Sequence, residues 1–363
     1  MFDTFLNNKK SWLKNPGPGC EIVFSSRVRL ARNLAGFNFP CRAAHVQREE
    51  VLNNVMSVCR KLIDGDEMIF ARIEDLSELD RHFLLERHLV SQEHILPFNE
   101  GTKSSFKGKG VVIAPDERLS VMINEEDHIR AQHITSGFDL ENCFKSVNQF
   151  DDLLSANLEY AFLPEFGHLT ACPTNVGTGL RASCMLHLPA LVFTKRINKV
   201  LELLAKISFT ARGFFGEGTQ ALGNFFQISN QVSLGVSETE VIGNLTGVVN
   251  QVKEQELDAR DTLIVRHKLS LEDNVWRAVG LLQNSRLINT QEAFNHLSML
   301  SLGLDLGIIS GIKRELVNSL FVAIQPAHIQ KTESKQLNEI ERDCVRSEIL
   351  REKVKIRGGK DVQ

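Results

Sequence analysis

Up to about residue 255 the chain is written in short apolar runs punctuated by Gly, Pro, Asn and Ser; beyond it, apolar positions recur at helical spacing almost throughout. The first stretch predicts strands mixed with helices and the second an all-helical region, so two domains are expected, 1–255 and 256–363. Residues 22–24 open a strand that runs on through Ser25-Ser26-Arg27-Val28-Arg29-Leu30. Residues 119–123 and 128–134, separated by Asn124-Glu125-Glu126-Asp127, read as an antiparallel hairpin. Residues 225–228 and 231–234, joined by Ser229-Asn230, predict a second one. Ser237 with Glu240 is a capping box, followed at helical spacing by Val241, Ile242, Leu245, Val248, Val249 and Val252, which predicts a helix over 237–256. Further on, Ser270 is expected to cap a helix carrying Val275, Trp276, Val279 and Leu282, and Asn289 with Glu292 to cap another through Leu297 and Leu300. Residues 301–311 read as a glycine-punctuated connection, and a charged helix is expected after Gln325-Pro326. No internal repeat stands out.

Composition narrows the class. Hydrophobic residues are 42% and charged ones 24% of the 363, which rules out wholesale disorder. Lys plus Arg is 42 against 45 for Asp plus Glu, a net charge of −3 that argues against a dedicated nucleic-acid binder. Seven cysteines, an odd count with no CxxC, argue against a disulfide framework or structural zinc and fit a reducing compartment. The opening residues lack a secretory signal pattern and no apolar run approaches a membrane span, so a cytoplasmic protein without membrane contact is expected.

Four motifs could carry chemistry. In a strand Arg27 and Arg29 project from one face, two planar forks suited to polyphosphate; a solvated strand face is the plainer reading of that motif alone. Glu125, Glu126 and Asp127 crowd three carboxylates into one tight loop, next to Arg130, which is placed to join the Arg27 and Arg29 face. Such a loop could hold a cationic substrate, surround a nucleotide-bound magnesium ion, act as base, or be only an acidic hairpin tip. Cys172-Pro173-Thr174-Asn175-Val176-Gly177-Thr178-Gly179-Leu180-Arg181-Ala182-Ser183 contains GxGxxA, but Pro173 stands where a dinucleotide fold needs a strand. A glycine loop ending in arginine still offers donors to phosphate, and Cys172 is either a reactive thiol or a buried inert one. Arg212-Gly213-Phe214-Phe215-Gly216-Glu217-Gly218-Thr219 has the composition of a closing lid or of a plain surface loop.

Together these motifs are far more specific than any one. With Glu86 to Ser91 (ERHLVS) and Gly223 to Gly235 (GNFFQISNQVSLG), they follow in order the motifs of the ATP:guanido phosphotransferases, the phosphagen kinases, and the chain most resembles the bacterial protein-arginine kinases of the McsB type. The resemblance implies an α+β fold: an antiparallel sheet flanked by helices, the phosphagen-kinase catalytic core, followed by an all-helical C-terminal domain. It implies an ATP site lined by Ser25, Ser26, Arg27, Val28, Arg29, His88, Arg130, Arg181, Ala182, Ser183, Cys184, Met185, Arg212, Gly213, Phe214, Phe215, Gly216 and Glu217. Glu126 would be the principal catalytic carboxylate, Glu217 the second, and Cys172 would sit beside the substrate guanidinium. Mg²⁺ would arrive on the ATP phosphates with no protein ligand of its own, Glu125 and Asp127 standing in its outer surroundings.

A guanidinium, with a pKa of roughly 12.5 to 13.8, is a poor nucleophile, so transfer to nitrogen needs a carboxylate that orients it and takes its proton. Five arginines converging without an anion repel one another, so the 212–219 loop is expected to stay open until nucleotide binds. Small-guanidine kinases carry a helical domain of about a hundred residues before this core, again a family property. Only 24 residues precede Ser25 here, which predicts an open site for arginine side chains on proteins. A kinase for free arginine or another small guanidine, and a non-catalytic binder of phosphoarginine, are the alternatives. In the tail, Arg342-Asp343-Cys344-Val345-Arg346-Ser347 resembles the family's phosphoarginine-binding motif, with Ser347 in place of its Ala. Arg342 and Arg346 are expected on one helix face, opposite Leu337 and Ile340. The family's biology implies a zinc-finger activator, a Clp-type chaperone, a role in protein quality control under stress, and a homodimer.

Overall fold

The computed structural model describes residues 2–6, 8–62, 68–100, 103–213 and 222–356. Eight strands build the main sheet: Val23–Arg32 (β1), Ile69–Arg72 (β2), Gly110–Ile113 (β3), Leu119–Ile123 (β4), Ile129–Ser136 (β5), Leu180–His187 (β6), Phe209–Arg212 (β7) and Phe225–Asn230 (β8). Their order is β7-β8-β6-β1-β5-β4-β3-β2, with every neighbouring pair antiparallel. The expected fold class, an antiparallel sheet flanked by helices with a helical C-terminal region, is what the chain adopts.

β1 lies near the middle of the sheet and shows why one face is dry. Val28 and Leu30 are fully buried, as are Ala182 and Cys184 on β6. Alternation sends these positions to one side of the sheet, where helix Leu140–Ser155 (α1) and helix Glu238–Arg266 (α2) supply Val147, Leu154, Leu245 and Val249. The other side carries the arginines.

The C-terminal helices Lys268–Asn284 (α3), Thr290–Asp305 (α4), Arg314–Ala323 (α5), Pro326–Glu333 (α6) and Glu339–Lys353 (α7) share this core. Phe321 of α5 meets Phe24 and Phe225 edge to face, with centroids 6.4 and 4.8 Å away. Such aromatic pairs add to simple area burial. Buried Glu256 accepts from the Ala190 and Leu191 N–H groups at 3.0 Å and pairs with Arg260, which reaches Asp305 of α4.

Several boundaries differ from expectation. The helix begun by the Ser237 capping box continues to Arg266, because the charged run after Val252 includes this buried Glu256–Arg260 clamp. α3 starts at Lys268 after His267, leaving Ser270 within its first turn rather than at its cap. Residues 301–305 are helical, and Gly303 there allows close packing: a Cβ at that position would lie 2.4 Å from a Val275 methyl. Two helices, not one, follow Gln325. Residues 231–234 form no strand, so the second hairpin is absent. Instead β8 runs to Asn230, whose side-chain amide bonds Ala182 N–H, Leu180 O and Val232 O. Asn289 does cap α4, accepting from Glu292 N–H at 2.9 Å.

Candidate active site

On β1, Ser25, Arg27 and Arg29 stand opposite Met185, Ser183 and Arg181 of β6 and opposite Ser136, Ile134 and Gln132 of β5. Arg130 stands opposite Ala31, and Arg212 of β7 opposite Gln227 of β8, which pairs in turn with Met185. Directly opposed residues share a sheet face. Five guanidinium groups from four strands therefore converge on the side away from α1 and α2. Arg29, Arg130, Arg181 and Arg212 line a cleft of about 980 Å³ together with Glu125, Glu126 and Cys172. Arg27 lines the adjoining hollow with Ser25, His88, Ser183, Met185 and Gln227.

Ser26, Val28, Ala182 and Cys184 point the other way. The Ser26 hydroxyl donates to Gly137 O at 2.8 Å and accepts from Asp139 N–H, while the other three pack in the core. Gly213 follows β7 and is buried; Phe214, Phe215, Gly216 and Glu217, and with them the expected loop closure, lie outside the described residues.

The charges are unequal partners. Burial, then Arg130 and Arg181, pull Arg27 down to about 10; Arg29 falls well below its ordinary value through burial and then the same crowding. Its Nε is buried with no hydrogen-bond partner among the described residues. Arg130 is different: burial opposes its charge, but Glu125, Glu126 and Asp127 outweigh that and hold its pKa above the usual value. Its Nη1 lies 2.5 and 2.6 Å from the two Glu125 oxygens.

The acidic loop divides its labour. Burial would raise Glu125, yet Arg130, the Ser91 hydroxyl at 2.5 Å and the Glu126 N–H at 3.1 Å bring it down to about 2, a permanently ionised counter-ion. Asp127 is buried, and its Oδ1 accepts from Asn33 at 2.6 Å and from Ala171 N–H at 2.7 Å, tying this loop to the one that carries Cys172. Both carboxylates are thus engaged with protein donors. Glu126 alone of the three is exposed, and its carboxylate has no hydrogen bond or ion pair to another described residue. Partial burial raises its pKa; Arg130 opposes this, but Asp127 and Glu125 add to the rise, as suits a proton acceptor.

The wall bearing Cys172 is stiff. Gly179, at φ +64°, brings the loop so close to β1 that a Cβ would meet Ala31 O at 2.5 Å. Arg32, paired with Asp151 at 2.7 Å, donates to Ala31 O and Thr178 O at 2.9 Å each. Cys172 Sγ lies 3.0 Å from Thr174 Oγ1.

Sequence reasoning missed several cleft residues. Arg48 and Lys109 stack on Phe98 at 4.3 and 4.5 Å, and Cys41, Glu93, Pro97, Thr210 and Gln231 also line the cleft. Lys109 lies between the 86–91 and 124–130 motifs, in neither, and is held by backbone carbonyls, a role no local pattern announces. His128 is fixed neutral by Leu34 N–H at 3.0 Å and Asn38 O at 3.0 Å, bracing the acidic loop from behind.

In the tail, Arg342 lines a hollow of about 390 Å³ with Glu86, Pro326, Ala327 and Gln330. Arg346 does not share that surface. It is buried, donates to Ile324 O and Ile288 O at 2.8 Å each and pairs with Asp343, while Ile340, expected on the apolar side, is 70% exposed. Ile324 caps the C-terminus of α5 and Ile288 lies just before α4, and donating to these two carbonyls holds Arg346 inward.

A face of crowded cations with an unsatisfied buried donor fits a polyphosphate, and a carboxylate beside it fits a cationic acceptor. That combination defines a phosphotransferase of the guanidine-kinase class, and the comparisons agree. The ATP:guanido phosphotransferase C-terminal catalytic domain model matches residues 50–259. Among solved structures, the duplicated taurocyamine kinase of Schistosoma mansoni, with bound transition-state analogue components, is 26% identical with a TM-score of 0.58, covering 68% of this chain and 35% of that one. A lombricine kinase at 23% identity and a TM-score of 0.57, covering 70% and 76% of the two chains, has the same fold. The protein-arginine kinase McsB C-terminal domain model matches residues 267–362. The protein-arginine kinase of Halothermothrix orenii is 42% identical over 350 residues, 96% of this chain and 97% of its own. That of Desulforamulus reducens is 43% identical over 355 residues, 97% of each. The chain belongs to the protein-arginine kinases of the ATP:guanido phosphotransferase family.

Proposed function

We propose that the chain transfers the γ-phosphoryl group of Mg-ATP to a guanidinium nitrogen of arginine side chains in proteins. The observation that carries this reading is the meeting of Arg29, Arg130, Arg181 and Arg212 with the exposed Glu126 in one cleft. The arginines bind the triphosphate and stabilise charge on the transferring group. Ser25, Arg27, His88, Ser183 and Met185 receive the rest of the nucleotide. Glu126 accepts paired N–H donors from the acceptor, orients its nitrogen and takes its proton as the N–P bond forms and the bond from phosphorus to ADP oxygen breaks. Glu217 is the proposed second carboxylate, on its motif alone. Mg²⁺, carried on the phosphates, supplies further charge neutralisation; among the described residues no cluster of three His, Cys, Asp or Glu side chains could hold a metal by itself.

The test is mass spectrometry of an unfolded model protein incubated with Mg-ATP under non-acidic conditions that spare the P–N bond, beside a parallel incubation with free arginine. Phosphorylated arginine side chains are expected; phosphorylation of free arginine alone would transfer the reading to small guanidines. Glu126→Gln is expected to keep nucleotide binding and lose transfer by about 10² to 10⁴-fold, and near-normal turnover in it would remove Glu126 from the base role.

The proposal extends to a cytoplasmic homodimer that marks proteins for a Clp-type chaperone with a zinc-finger activator. Family resemblance supports it, as do the exposed Leu257, Ile264, Val265 and Leu269 near the junction of α2 and α3, apolar surface suited to a second copy. No helix among the described residues is long and apolar enough to cross a membrane. Phosphoarginine binding is proposed for the hollow of Arg342, with Asp343 and Arg346 setting its frame.

A further inference from the structure

Beside the cleft wall that bears Cys172, the chain exposes apolar side chains that the transfer chemistry does not use. A short antiparallel ribbon, Phe162–Leu163 with Gly167–His168, carries Phe162, Leu163 and Phe166, which are 54%, 44% and 52% exposed. Val232 and Leu234, on either side of buried Ser233, are 45% and 51% exposed.

These two groups are parts of one structure. His168 N–H donates to Gly177 O at 2.8 Å and Gly177 N–H to His168 O at 3.3 Å, so the ribbon is bonded to the loop that bears Cys172. Thr178 N–H donates to Ser233 O at 3.0 Å, and the Ser233 hydroxyl is within donating distance of Thr174 O and Val176 O. Ribbon, Cys172 loop and the segment after β8 thus lie side by side. The segment starts in the cleft, because Gln231 lines it, and Val232 is the next residue. Through Gln231 and the Cys172 loop, both of which line the cleft, these apolar residues adjoin it.

Position limits the occupant. A ligand whose reacting end lies at Glu126 and Cys172 and whose body extends past Gln231 must be long and partly apolar. The cleft itself is lined mainly by charged and polar side chains, and its one aromatic ring among the described residues, Phe98, is taken up by Arg48 and Lys109. Each residue of extended chain spans about 3.3 Å, so side chains two to five residues from an acceptor arginine fall within about 7 to 17 Å of it.

We propose that Phe162, Phe166, Val232 and Leu234 form a docking platform for apolar side chains flanking the acceptor arginine in a substrate polypeptide, so that the enzyme selects arginines set in exposed apolar sequence. The inference rests on the protein-arginine kinase reading above and names the substrate class of that site. Burying one leucine or phenylalanine partly on such a surface changes specificity by about 5- to 20-fold.

The experiment uses the full chain with Mg-ATP and two peptide sets, each with a single arginine, flanked within five residues either by Leu and Phe or by Ser and Asn. Initial rates are read by mass spectrometry at neutral pH. The unaltered chain is expected to favour the apolar set about tenfold in kcat/KM, chiefly through KM. In a Phe162→Ser, Phe166→Ser, Leu234→Ser variant that ratio should fall toward one; Phe162→Ser alone, at an exposed ribbon end, should halve it or more and guards against a folding defect. Equal rates for both peptide sets with the unaltered chain would overturn the docking platform while leaving arginine transfer intact, whereas no phosphorylation of either set would defeat the underlying reading and this one with it. An unchanged ratio in the variants also overturns the platform. A fall in mass by light scattering accompanying that unchanged ratio would assign the surface to a second copy of the chain instead.

Discussion

Arg29 illustrates how a binding residue is held at a cost to the empty protein. It is half-buried, crowded by Arg27, Arg130 and Arg181, and its Nε lacks a partner among the described residues. Arg130, by contrast, is neutralised by the Glu125 carboxylate against it. Replacing a cation that is partly desolvated and crowded by like charges with an apolar group of similar size relieves both costs. Arg29→Met is therefore expected to raise the melting temperature of the nucleotide-free protein by about 1–3 °C and to weaken nucleotide binding by about 10- to 100-fold. Thermal shift with and without Mg-ADP reads both; a variant that melts lower and binds normally would show that Arg29 is structural. The arginine row was legible because period-two alternation needs only the letters of one strand. The roles inside Glu125-Glu126-Asp127 were not: three like residues in a row carry no mark of which one Arg130, Ser91, Asn33 or Ala171 will claim, since those partners come from distant segments.

At the level of elements, the sheet and its helices were readable where one segment suffices and misread where two must meet. The strand through SSRVRL, the hairpin around the acidic loop and the caps at Ser237 and Asn289 are local, and they stand in the structure. The helix end near Glu256, the glycine at 303 and the path after Asn230 depend on Ala190, Val275 and Ala182, none of them near in sequence. The Arg342–Arg346 pairing failed for the same reason, because the carbonyls that draw Arg346 inward belong to Ile324 and Ile288. Asp127 joins two such elements, the acidic loop and the Cys172 loop, through Asn33 and Ala171. Asp127→Ala removes both bonds, so a loss of about 1–3 kcal/mol in stability is expected. If the tie sets the acceptor wall, KM for the arginine substrate should rise several-fold while KM for ATP stays within about twofold. Equal rises in both constants would show that the tie serves the whole cleft.

For the whole molecule, buried neutral histidines connect the cleft to the C-terminal helices. Burial, then Lys109, brings His94 down to about 3; burial brings His128 down to about 4. His187 and His328 lie well below the ordinary value, through burial and then Arg260 and Arg87 respectively. His187 lies 2.7 Å from Ser298 Oγ of α4, and His328 Nδ1 lies 2.8 Å from Glu86, so two of them stand at the junction between sheet and C-terminal helices. A histidine whose pKa is depressed in the folded state takes its proton only when the chain opens. Unfolding below the unfolded value near 6.5 therefore takes up protons, and stability present above that pH is lost as pH falls toward about 4. Each such group contributes a slope of up to about 1.4 kcal/mol per pH unit, and several acting together rival the 5–15 kcal/mol that holds an ordinary domain. The melting temperature should accordingly fall steeply between pH 6.5 and 5, with an uptake of several protons on unfolding, measured by calorimetry in buffers of different ionisation enthalpy. His187→Asn should reduce that uptake by about one proton. A melting temperature flat over this interval would mean that these histidines are already protonated in the folded chain, and the neutral ties at Ser298 and Glu86 would have to be redrawn.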